Sequence, residues 1–110
     1  MSGPGGGEET SLVLSDSAVA DILEQADWYG VQCGQRLERR WEKAVTSALL
    51  RIVRNPGAGT PCTFRRGELR DVRRVTIAGF SKHLLFYRVH GTEILILRVL
   101  HGARDLESLF

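Results

Sequence analysis

The sequence predicts an α+β fold: a helical hairpin packed on one face of a small, mainly antiparallel sheet, ordered β-α-α-β-β-β with a short C-terminal helix. Three observations predict it. Apolar residues recur at three- and four-residue steps from Val19 to Val53, broken only between Gly30 and Gly34. Beyond "NPGAGTP" (residues 55–61) the apolar period drops from about four to two. Finally, two apolar runs, Leu84 to Val89 and Ile94 to Leu100, flank His90-Gly91-Thr92-Glu93 as the arms of a hairpin.

Taken in order, Leu12-Val13-Leu14 is a short first strand, and Ser15-Asp16-Ser17 follows it as a helix cap. Ser15 or Ser17 accepts a hydrogen bond from the first helical turn. Val19, Ile22, Leu23 and Ala26 give the first helix an apolar face, and Asp16 and Asp21 lie toward its positive end. The second helix places Leu37, Trp41, Ala44, Val45, Ala48, Leu49, Ile52 and Val53 on one side. Arg36, Arg39, Arg40, Lys43, Arg51 and Arg54 lie on the other. Asn55 before Pro56 stops it. "ELRDVRRVTI" (residues 68–77) alternates as a strand with a polar face, and Gly79 marks a turn. At the end, Leu106, Leu109 and Phe110 fall at helical spacing.

Residues 1–10, Gly-rich and acidic, read as a flexible tail, and residues 11–110 as a single domain. The start of the chain has neither the basic cluster nor the apolar stretch of a signal peptide, and no apolar run approaches membrane-spanning length. The expectation is a cytoplasmic protein without membrane contact. Cys33 and Cys62 form no CxxC and have no histidine at metal-ligand spacing, so free thiols, no metal and no cofactor are expected.

Charge is unevenly distributed. The first 35 residues hold six acids and no Lys or Arg; residues 36–110 hold all 15 basic residues against seven acids, or +8. This points the later part of the chain toward an anionic partner, with a solubilising surface as the plain alternative.

No phosphate-binding Gly-rich loop, HExxH or GxSxG occurs. The candidate chemistry is basic and strand-borne. "FRRGELRDVRR" (residues 64–74) packs five arginines into eleven residues, suited to forked bonds with phosphate oxygens or to a solvated strand face. Arg88 and Arg98 interrupt apolar strands. A two-residue hairpin loop puts them on opposite faces, with Arg88 beside Leu84, Phe86, Leu95 and Leu97, and Arg98 beside Leu85, Tyr87, Ile94 and Ile96; an odd loop puts them on one face. A buried Arg needs an acidic mate or a bound anion. Helices cover only one apolar face, so the other face or an edge is expected to meet a partner. Of His83, His90 and His101, only His101, ending the last strand beside Gly102, is placed as a candidate general acid or base.

"SAVADILEQADWYGVQ", "NPGAG", "GELRDVRR", "LLFYRV" and "ILRVLHGARDL" stand in an order that resembles the ParE branch of the RelE/ParE toxin superfamily, over residues 11–110. That resemblance implies two helices on a small antiparallel sheet and a cognate antitoxin that wraps the toxin with a helix and an added strand. It also implies one of two targets. ParE-type toxins inhibit DNA gyrase and stabilise its cleaved complex, whereas RelE-type toxins cut messenger RNA on the ribosome. For cleavage the matching positions are Arg73 or Arg74, Arg88 or Arg98, and His101. The middle strands lack a lysine cluster and the tail "LESLF" offers no Tyr or His, which favours gyrase. A late histidine serves some ribonucleases of the family, so His101 keeps the ribosomal reading open. A third reading is a degenerate toxin serving antitoxin binding and autoregulation. Arg70, Arg73, Arg74, Arg88, Arg98 and Arg104 are the expected contacts to antitoxin or target.

Overall fold

In the computed structural model, residues 10–102 and 109–110 are described. The N-terminal tail up to residue 9, Arg104, and all but the last two residues of the C-terminal helix expected over Arg104 to Phe110 lie outside that range. Strand β1 (Ser11–Leu14) passes directly into helix α1 (Asp16–Cys33). Ser15 makes the junction: its Oγ accepts from Ala18 N–H at 3.0 Å and donates to the Leu97 carbonyl at 2.8 Å. One side chain thus caps the helix and ties it to the sheet. Gly34 ends α1 at φ +97°, a conformation open to glycine at little cost, and helix α2 (Gln35–Arg54) starts immediately.

The helices lie on a five-stranded mixed sheet. After α2 come β2 (Thr60–Pro61), β3 (Arg73–Ile77), β4 (Phe80–His90) and β5 (Glu93–His101), and the spatial order is β1-β5-β4-β3-β2. β1 pairs with β5 in parallel, and the other pairs are antiparallel. The α+β architecture with an N-terminal strand and a helical hairpin is therefore as the periodicity predicts. α2 supplies Trp41, Val45, Ala48 and Ile52 to the main core, against Val75, Ile77, Leu85, Tyr87, Ile94 and Ile96 of the strands. Trp41 keeps its indole N–H satisfied at the Ile22 carbonyl, 3.1 Å away. The Tyr87 hydroxyl donates to the Pro56 carbonyl and accepts from Gly59 N–H, at 2.7 and 2.8 Å. A Cβ at Gly59 would stand 2.5 Å from that hydroxyl, so the loop after α2 can approach only because the residue is glycine.

Three expectations need correction. The strand read from the alternation in residues 68–77 begins only at Arg73. Gly67–Leu69 is a 3₁₀ turn and Asp71 has φ +68°, a left-handed conformation that a continuing strand does not admit. Second, the sheet face away from the helices is not left bare. The loop from Cys62 to Val72 folds back across it, and Leu69, Val72, Phe64 and Phe110 pack on Phe86, Leu84 and Leu97. Third, the hairpin has the two-residue loop assumed for opposite-facing arginines, with His90 opposite Glu93 and Arg88 opposite Leu95, but its register slips. Tyr87 faces Ile96 while Phe86 faces Arg98, so a bulge at Leu97 resets the alternation before Arg98 is reached.

Candidate functional site

Three of the six arginines singled out by sequence, Arg73, Arg88 and Arg98, are engaged in holding the fold. β5 runs past the end of β1, which leaves an unpaired stretch of edge beyond Ile96. Asp21, on α1, closes it: the carboxylate accepts from Val99 N–H at 3.0 Å and takes a forked pair from Arg98, Nε at 2.7 Å and Nη2 at 2.8 Å. Arg98 also donates to the Leu109 carbonyl. This is the acidic mate that a half-buried arginine requires, and the helix carboxylate raises the guanidinium's already high pKa further. Arg88 donates to the Glu68 carbonyl, and Arg73 to that of Gly59 at 2.8 Å. Arg70 and Arg74 are exposed.

His101 lies elsewhere. It is exposed at the end of β5, directly opposite His83 on β4, with the rings edge to face at 5.2 Å. Three extra residues, Ser81 to His83, bulge from β4 between the positions paired with Ile77 and Thr76. They carry His83 into an aromatic cluster with Tyr29, Trp41 and Phe80. His83 is 5% exposed, and neither ring nitrogen has a hydrogen-bond partner among the described residues. Burial, and secondarily the neighbouring His101, hold its pKa below the ordinary histidine value. Both imidazoles line an open cleft of about 780 Å³ together with Asp21, Glu24, Trp28, Tyr29 and Lys82. The structure therefore brings His101 together with a second histidine, a lysine and aromatic side chains. The arginines expected beside it do not line that cleft: Arg73 and Arg74 line separate recesses, and Arg98 is turned to Asp21. Among the described residues, no three His, Cys, Asp or Glu side chains gather as metal ligands do.

Among the described residues, most of the exposed large apolar side chains are on β1 and α1. Leu12 and Val13 on β1 and Val19, Leu23, Trp28 and Val31 on α1 are all solvent-exposed large apolar residues, Val31 at 81%. β1 is an outer strand with one edge unpaired among the described residues. Sequence reading missed this surface because Val19 and Leu23 share helical spacing with the buried Ala26 and were assigned to the core. It also missed Asp21 as the mate of Arg98, since the two are 77 positions apart.

The family model described as the ParE toxin of the type II toxin–antitoxin system parDE matches residues 12–106. The chain belongs to the ParE toxin family. Among solved structures it is similar to a chain of the chromosomal ParDE toxin–antitoxin system from P. aeruginosa, with 26% identity and a TM-score of 0.72, covering 87% of this chain and 99% of that one. A chain of the intact E. coli RelBE toxin–antitoxin complex has a TM-score of 0.55 at 11% identity, over 86% of this chain and 99% of that chain. The YoeB/ParE toxin from Agrobacterium tumefaciens gives 0.55 at 17% identity, over 86% and 100%. These last two likenesses are of fold alone. No curated protein sequence matches. As a ParE-type toxin of a type II system, the chain has a cognate antitoxin as its implied partner. No helix among the described residues is long and apolar enough to cross a membrane.

Proposed function

We propose that this ParE-type toxin acts by binding, with DNA gyrase as its target, and that its antitoxin neutralises it by covering the β1–α1 surface. The observation that carries the reading is the scatter of the would-be catalytic groups. Phosphodiester cleavage needs a base, an acid and phosphate-binding cations focused on one bond. Here Arg73 and Arg88 hold backbone carbonyls, Arg98 is paired with Asp21, and His101 lines a cleft whose lining includes none of the three. The exposed apolar residues of β1 and α1, next to an open strand edge, suit a partner that adds a strand and lays an amphipathic helix alongside.

One observation favours the ribosomal reading: His101 is exposed beside Lys82 in a cleft large enough for a nucleotide. Two assays run side by side separate the readings. Purified toxin is expected to inhibit gyrase supercoiling and to leave messenger RNA intact on translating ribosomes. Cleavage without any effect on gyrase reverses the assignment. In that event His101→Ala should lower cleavage roughly 10²-fold or more if it transfers the proton, and an unchanged rate removes that role.

A further inference from the structure

A row of exposed cations runs along α2. Arg36, Arg40, Lys43, Arg51 and Arg54 recur at three- and four-residue steps, with Ser47 completing the series, so they form one stripe along the helix. At 1.5 Å per residue the stripe is about 27 Å long. It lies on the side away from the buried Trp41, Val45, Ala48 and Ile52, and each of its members is exposed. Neither acid of α2 falls in the stripe by spacing, although Glu42 lines a recess with Arg39, Lys43 and Ser47 at the stripe's margin. Glu38 and Glu42 share the opposite flank by spacing, and the Glu38 carboxylate lies so close to Gly30 that a Cβ there would be 2.6 Å from it. Among the described residues, Arg36, Arg40, Lys43 and Arg54 have no ion-pair or hydrogen-bond partner.

The stripe does not end with the helix. Arg51 donates to the Thr76 carbonyl at 3.0 Å, which holds the C-terminal end of α2 against β3. Arg51 and Arg74 then line one open recess with Thr60 and Thr76, bringing two guanidinium groups and two hydroxyls to a single notch. Forked N–H donors beside hydroxyl donors match the oxygens of a phosphate.

We propose that the α2 stripe and the Arg51–Arg74 notch form a track for the phosphate backbone of duplex nucleic acid. Charge complementarity selects this occupant: a row of exposed cations about 27 Å long, none of them in an ion pair among the described residues, matches a regularly charged rod. The acidic α1, carrying Asp16, Glu24 and Asp27, disfavours the same rod on its side and so orients it. Gyrase need not be the target for this track to bind, since the α2 stripe and the notch are built without reference to it.

The test is fluorescence anisotropy of a short labelled DNA duplex with the full-length chain across a range of salt. The wild type should bind with an affinity that falls steeply as salt rises. Arg40→Glu with Lys43→Glu should weaken binding roughly tenfold or more and reduce the salt slope by about 2. The pair Ala20→Glu with Gln32→Glu adds negative charge off the stripe, at exposed positions of α1, and should have a much smaller effect. Matching melting curves by circular dichroism identify variants that remain folded, and Arg74→Gln, confined to the notch, gives a second reading with little charge change. Absence of binding at low salt overturns the proposal. So does an equal loss from the off-stripe pair, or competition by polyglutamate as effective as by unlabelled duplex, which assigns the stripe to an acidic protein.

Discussion

At the scale of single residues, two groups account for most of what was not legible in the sequence. From sequence, Arg98 is expected to face a partner because an arginine inside an apolar strand has no local explanation. Its mate, Asp21, looked like an ordinary helix-start carboxylate. Only the fold sets α1 across the bare end of β5, and then one carboxylate satisfies a guanidinium fork and the Val99 amide together. Asp21→Ala leaves a half-buried cation and an edge N–H unpaired, and should lower the unfolding free energy by about 3 kcal/mol in urea denaturation. A loss below about 0.5 kcal/mol would reduce the pair to a surface contact. His83 supplies the second case. Burial lowers its proton affinity in the folded state, so the unfolded chain takes up the proton first. Stability is therefore full above the ordinary histidine value of about 6.5 and declines as pH falls from there toward the lower folded value. The melting temperature of wild type should fall between pH 7.5 and pH 5 (roughly the span of histidine titration), and His83→Phe should flatten that fall. Equal acid sensitivity in the two proteins would place its origin outside His83.

At the scale of elements, legibility followed the strength of periodicity. α2, with its long unbroken apolar series, was readable to its last residue, and the hairpin loop was readable from His90-Gly91-Thr92-Glu93. What escaped were features that break a period without a sequence mark: the bulge at Leu97, the three-residue excursion ending at His83, and the left-handed Asp71. The return of the Cys62–Val72 loop over the far face was equally hidden, because its arginines mask the few apolar residues that dock, Phe64, Leu69 and Val72. That return covers the far face and leaves the other expected docking area, a sheet edge, at β1 with α1 beside it. Leu23→Asp combined with Trp28→Ala should therefore weaken antitoxin binding by at least tenfold in calorimetric titration while the melting temperature stays near wild type. Residues exposed as Leu23 and Trp28 are (56% and 55%) contribute little to the core and much to an interface. Undiminished affinity would mean that the antitoxin covers another surface.

For the whole molecule, the division of charge along the chain becomes a division in space. The acidic α1 and the edge strand β1 carry the exposed apolar area, whereas the unpaired cations run along α2 to β3. An antitoxin covering the first surface leaves the second free, so neutralisation and polyanion binding are separable on this fold. The candidate site was legible from sequence only in outline. Its residue types were recognised, but which arginines brace the molecule and which face solvent depended on contacts between positions far apart in the chain. The target is tested most directly by the supercoiling of relaxed plasmid by DNA gyrase in the presence of the purified toxin, with and without its cognate antitoxin. Loss of supercoiled product with rising toxin, restored by antitoxin, is the predicted result; full supercoiling activity in the presence of excess folded toxin would contradict it.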